Sequence, residues 1–225
     1  MDFAALTQFL GELEQNNDRT WFEANRKRYE TLRADFADLV DDVIFGIATF
    51  DQRIAGVAAK DCMFRIHRDV RFSKDKSPYK TQFSGAITEA GKNTQTPAYY
   101  FQVNHEGQLF MGGGIWMPET DRLNRVRGYI ATWPRRLQDV LDDPTFKATF
   151  GTLDGPRLTR PPKGYDEATP MLDMVKLKSF TVGRDVDART LDDETGAPLI
   201  VDTFRAMHPF VTWLRDALGH THERA

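Results

Sequence analysis

The sequence predicts an α+β fold: a mainly antiparallel sheet, about 62–116 plus 176–182, covered by long N-terminal and C-terminal helices. Three observations predict it. Apolar residues recur at helical spacing before Gly56 and again after Ala197. Between them, apolar and polar residues alternate with period two, as on a half-buried strand. Polar, glycine-bearing turns separate those alternating stretches at hairpin intervals.

Phe3, Leu6, Phe9, Leu10 and Leu13 form an apolar helical stripe behind Asp2, a good N-cap. Asn16-Asn17-Asp18 interrupts it. Thr20 with Glu23 reads as a capping box for a second helix. The stripe of that helix runs Phe22, Tyr29, Leu32, Phe36, Leu39, Val40, Val43, Ile44 and Ile47, with Gly46 as a stop or bend. Its opposite face, including Glu30 and Arg33, reads as solvated. Phe64, Ile66, Val70 and Phe72 then alternate with Arg65, His67, Asp69 and Arg71, predicting a strand with an apolar and a polar face. Arg68 falls on the apolar side, where either a bulge turns it outward or a buried carboxylate pairs with it. Two strands follow at Gln82–Thr88 and Ala98–Asn104, and His105 to Gln108 turns into Leu109-Phe110-Met111. Gly112-Gly113-Gly114 ends the sheet. Pro118, Pro134 and Pro144 mark the starts of helices. A proline-rich loop over 151–170 leads to a strand from Lys176 to Val182. A C-terminal helix opens at Ala197-Pro198, kinks at Pro209 and ends at Gly219, leaving 220–225 as a frayed tail.

The chain has 225 residues, enough to bury a substantial core, and reads as one domain. Its parts are a helical region over 1–56, the meander over 62–116, and the mixed remainder over 117–225. Hydrophobic content of 40% with sixteen Phe separates it from disordered chains. No run reaches the roughly 18 apolar residues of a membrane span, and Met1-Asp2-Phe3 does not open a signal peptide. The lone Cys62 excludes an internal disulfide or a cysteine metal cluster and reads as a buried small hydrophobe. Cytoplasmic residence is the expectation.

The net charge of −3 disfavours nucleic acid and anionic membranes as partners of the whole surface. One stretch runs the other way. From Arg65 to Lys80, six Lys/Arg stand against two Asp. The arginines Arg65, Arg68 and Arg71 offer bidentate contacts. Lys74, Lys76 and Lys80 offer point charges, and Ser73, Ser77 and Tyr79 add hydroxyl donors on a turn bearing Pro78. The expected partner is a small anionic ligand carrying phosphate or carboxylate. The backbone N–H groups of Gly112, Gly113 and Gly114 are further candidates for anion contact, although the run fits neither nucleotide-binding glycine motif. An alternative reading is a protein-interaction module docking an acidic partner through the basic strand, or an edge strand blunted by charge. A third is a hydrolase using His67 and Asp69, two apart on the polar face, as an acid/base pair. The five histidines show no metal-ligand spacing, and no cofactor motif is present, so neither metal nor cofactor is expected. Tyr99, Tyr100 and Phe101 beside the basic run can stack bases, but alternate strand aromatics more commonly build a core.

Three separated pieces carry a resemblance. They are Phe9-Leu10 and Leu13 through Asn16-Asn17 to Trp21-Phe22 and Asn25; the unbroken run Phe64 to Lys80; and Tyr99-Tyr100 with Gly112-Gly113-Gly114 and Pro118. Pro162-Lys163-Gly164-Tyr165 and Leu177-Lys178-Ser179-Phe180 fit the same pattern. Together they resemble domain-of-unknown-function family 2461, a group of conserved hypothetical proteins, over nearly the whole chain. The resemblance implies one domain and a shared site at the central run. It implies no activity.

Overall fold

The computed structural model describes residues 1–92, 95–153 and 155–219. Among these residues, helices and one antiparallel four-stranded sheet give an α+β architecture. The expected tail 220–225, with His220 and His222, lies outside the described residues. The strands β1 (Gln82–Ile87), β2 (Ala98–Asn104), β3 (Gln108–Ile115) and β4 (Phe180–Asp187) are ordered β1-β2-β3-β4. Sequence neighbours are therefore sheet neighbours. The described residues fall into two compact units. The first comprises Met1–Lys92, Tyr100–Met111 and Asp185–Asp202, and the second comprises the others.

In the first unit, helix α1 (Phe3–Gln15) buries Phe3, Leu6, Phe9, Leu10 and Leu13, and the Asp2 carboxylate accepts from Ala5 N. The second helix of the sequence reading is two. Asp18, rather than Thr20, caps α2 (Arg19–Ala24) by accepting from Trp21 N, and Glu23 pairs with Arg26. After Asn25 the chain restarts as α3 (Arg26–Ala48). Gly46 neither ends nor breaks α3. A Cβ there would lie 2.4 Å from Val201 Cγ2, so the glycine admits a close neighbour. On α3, Phe36 meets Phe83 edge-on at 5.5 Å and Phe101 at 5.4 Å. A 3₁₀ turn, Gln52–Ile54, and a short helix α4 (Ala59–Cys62) lead to the basic run.

That run is not a regular strand. An isolated bridge pairs Met63 with Gly85 on β1, and another pairs His67 with Tyr79. Phe64 N donates to Ser84 O, Lys80 N to Ile66 O and Arg68 N to Pro78 O. Pairing stops there, and 69–77 forms an irregular loop. Ile66 is buried as expected, whereas Phe72 is 97% exposed. Alternation continues in the sequence after the chain has left the sheet, so the pattern overstates the strand.

In the second unit, α5 (Thr120–Thr132), α6 (Pro134–Asp142) and α7 (Pro144–Phe150) follow β3, and Pro134 and Pro144 stand at their first turns as expected. Helix α8 (Leu172–Val175) precedes β4. That last strand starts at Phe180 rather than Lys176, because Leu177 is engaged instead by Arg157. Helix α9 (Gly196–Gly219) belongs to this unit from Thr203 onward; that part contains Pro209 and places Phe204 5.3 Å from the Tyr99 ring. Gly112-Gly113-Gly114 lies inside β3 instead of ending it. A Cβ on Gly113 would stand 2.0 Å from Ala98 O, and one on Gly114, at φ 111°, 2.1 Å from Phe180 O. These glycines permit close strand approach.

Candidate functional site

The elements of the first unit enclose a cleft of about 770 Å³. Tyr29, Glu30 and Arg33 come from α3, and Lys60 from α4. Met63, Phe64, Arg65, Ile66 and His67 come from the incoming arm of the basic run, Lys80 from its returning arm, and Lys92 from beyond β1. Five cations thus face one carboxylate. Among the described residues, none of Arg33, Lys60, Arg65, Lys80 and Lys92 is ion-paired.

Local folding explains the placement. The Ile66–Lys80 hydrogen bond of 2.8 Å sets the two arms side by side, which brings Arg65 and Lys80 together. Asn17 fixes the returning arm. Its Nδ2 donates to Tyr79 O and its Oδ1 accepts from Tyr79 N, both at 3.0 Å. The Tyr79 ring stacks on Phe22 at 4.0 Å. At the other end, Lys92 N donates to Asp61 O at 3.0 Å, and its Nζ to the same oxygen at 3.2 Å. Lys92 is therefore held against the α4 segment that carries Lys60.

Electrostatics mark the cleft as positive. Burial, followed by the Arg65 charge, pushes the Lys80 ammonium below the ordinary lysine range. Its Nζ lies 5.3 Å over the Phe64 ring, a cation–π contact that offsets part of that cost. Burial raises the Tyr29 phenol above its usual value, keeping it a neutral donor. Beside the cleft, burial pushes the Cys62 thiol up to about 11.

The structure divides the residues expected from the sequence. Arg65 and Lys80 line the cleft, as does His67. Arg68 finds its carboxylate within its own loop, on Asp75, and Asp75 also accepts from Ser77 N at 2.9 Å and Ser77 Oγ at 2.6 Å. Arg71 grips Asp69 through Nε at 2.9 Å and Nη2 at 2.6 Å. Lys76 Nζ donates to Val70 O at 2.9 Å. Ser73 and Lys74 sit in the same loop, outside the cleft lining. Tyr79 is buried, not presented to solvent. Asp69 is occupied by Arg71, and among the described residues it has no hydrogen bond to His67, its partner in the acid/base alternative. Gly112–Gly114 belong to the second unit and do not line the cleft.

Sequence reasoning missed Arg33, Glu30, Lys60 and Lys92. The first two look like any solvated helix face, and the others lie in segments without periodicity. Only the fold brings them together. Among the described residues, no group of three or more His, Cys, Asp or Glu is placed to hold a metal ion, and no helix is long and apolar enough to cross a membrane.

Comparison with curated proteins and with solved structures gives no match. A family model described as "Conserved hypothetical protein (DUF2461)" matches residues 5–213, a span that holds the cleft, its cations and the clamped Tyr79 arm. The chain belongs to the DUF2461 family.

Proposed function

We propose that this protein binds a small anionic ligand, carrying phosphate or carboxylate, in the cleft bounded by α3, α4 and the basic run. The observation that carries the reading is the convergence of five cations, none ion-paired among the described residues, on a single concave site that holds one carboxylate, Glu30. Arg65 supplies a planar fork for two oxygens, and the lysines supply point charges. Each charge-assisted hydrogen bond to a ligand contributes about 1.5–3 kcal/mol. A cleft of this size lies within the range of small-molecule sites.

The test is thermal stabilisation by inorganic phosphate and by a dicarboxylate. At a hundredfold excess over Kd, a ligand confined to the folded state stabilises by about 2.7 kcal/mol. Arg65→Ala should weaken binding by about tenfold to a hundredfold, the loss of one such bond. Arg71→Ala should leave binding within about twofold, since Arg71 is spent on Asp69. No stabilisation by either anion, or equal losses in both variants, refutes the reading.

A second reading rests on Phe72, 97% exposed at the tip of the basic loop beside Lys74. Such a tip suits docking to an acidic protein partner, with the ring as anchor. Phe72→Ser should then abolish partner binding without touching phosphate-dependent stabilisation.

A further inference from the structure

Lys80 differs from the other lysines of the cleft. Lys60 and Lys92 are exposed, and the Lys92 Nζ donates to Asp61 O. Lys80 is half-buried, and among the described residues its Nζ has neither an ion pair nor a hydrogen bond. The Phe64 ring lies 5.3 Å from it. The backbone beneath is fixed, because Lys80 N donates to Ile66 O at 2.8 Å and Asn17 clamps both polar groups of Tyr79 just before it. The amine is thus offered to the cleft from a held position, against an aromatic wall, with Arg65 lining the same cleft. Apolar surroundings and a neighbouring cation both favour the uncharged amine, which is the nucleophilic form. Its shift runs in that direction, through burial first and the Arg65 charge second.

We propose that Lys80 Nζ is a covalent site, forming an imine with a carbonyl compound that bears a phosphate or carboxylate group. This rests on the anion-binding reading above, in which the other cations hold the charged group and so bring the carbonyl to the amine. The uncharged nitrogen adds its lone pair to the carbonyl carbon, and the C=O π pair passes to oxygen. One proton moves from nitrogen to that oxygen. The nitrogen lone pair then expels the hydroxyl, which leaves as water with the second nitrogen proton. One carbonyl and one amine give one imine and one water, with nothing oxidised or reduced.

Two pairs of aldehydes test this in the presence of cyanoborohydride, which reduces an imine to a stable amine. They are formylphenyl phosphate with methoxybenzaldehyde, and carboxybenzaldehyde with its methyl ester. After limited labelling, peptide mapping by mass spectrometry should place most of the charged label on Lys80. At least one charged aldehyde should label Lys80 about tenfold or more faster than its neutral counterpart, the effect of one charge-assisted hydrogen bond, and the faster pair names the anionic group. Lys80→Arg should remove this fast phase from an intact-mass time course and leave the slow labelling shared by exposed lysines. Label spread over the exposed lysines, or equal rates for charged and neutral aldehydes at Lys80, overturns the imine; the anion site stands if inorganic phosphate still raises the melting temperature. If phosphate neither raises it nor slows labelling at Lys80, both fall.

Discussion

Asp75 shows how a single residue decides what its neighbours are free to do. The Ser77 hydroxyl and backbone N–H, and then the Arg68 guanidinium, hold its carboxyl far below the usual aspartate range. Asp69 is lowered in the same sense by the side chain and backbone of Arg71. For a carboxyl lowered on folding, the stabilisation is complete above its unfolded pKa of about 3.9 and is lost as pH falls through the folded value. Loop 69–77 should therefore keep its protection from amide exchange at pH 5 and lose it progressively below about pH 4. Unchanged protection at pH 3 would remove these carboxylates from the account. Cys62 supplies a residue-scale check of another kind. With its thiol pushed up to about 11, alkylation at pH 8 should be slow in the folded protein and rapid in denaturant. Much at this scale was legible in the sequence. Arg68 was out of place on an apolar strand face, which left a bulge or a buried carboxylate as its alternatives; the partner it has is Asp75, a carboxylate on the surface rather than in the core. The partner's position seven residues on, across an irregular loop, was not legible, because no periodicity encodes it.

At the scale of elements, Arg127 is the clearest structural device. It lies on α5, only 6% exposed, and donates Nε to Val175 O at 2.8 Å and Nη2 to Leu177 O at 3.0 Å. It thereby ties α5 to the last residue of α8 and to the segment that follows it, where the chain leaves helical geometry before Phe180. Arg127→Met keeps the stem but strands two carbonyls, each costing about 1–3 kcal/mol. Chemical denaturation should show a loss of roughly 2–6 kcal/mol, and a loss under about 1 kcal/mol would mean that water replaces the guanidinium. The elements that the sequence placed well share a simple physical cause. Strand β2 was located at both ends because Tyr99, Phe101 and Val103 are all buried on one side. The proline helix starts succeeded because proline's missing N–H costs nothing in a first turn. The basic run failed as a strand for the complementary reason. Alternation records a face, and 69–77 has no sheet to face. The glycine run was misplaced because close backbone approach to Ala98 and Phe180 depends on neighbours far away in sequence.

For the whole molecule, the formal charge of −3 conceals a marked segregation of sign. Only two of the five cleft cations, Arg65 and Lys80, fall in the stretch that composition singled out; Arg33, Lys60 and Lys92 join them through the packing of α3, α4 and β1. Two of the five cations were thus legible as a local excess of charge, and three only as geometry. Lys80 carries a cost for this arrangement. As a base whose pKa is lowered on folding, it opposes folding while charged; that opposition is complete below the lowered folded value, fades as pH rises through it, and is gone above the unfolded lysine value of about 10.4. Lys80→Met should therefore hold or raise the melting temperature of the ligand-free protein while weakening phosphate binding about tenfold. A clear fall in melting temperature would assign Lys80 a packing role instead. The unneutralised cations have a practical outcome for anyone handling the protein. Their mutual repulsion is relieved only in part by Glu30 and by the Lys80 and Lys92 contacts, and mobile ions relieve the remainder only as far as the Debye length allows, about 10 Å at 0.1 M. A preparation in dilute amine buffer should be the most fragile, and added salt should strengthen it gradually. A trace of the right counter-ion should strengthen it at concentrations too low for screening to operate. Durability on the bench then becomes an assay for the proposed anion.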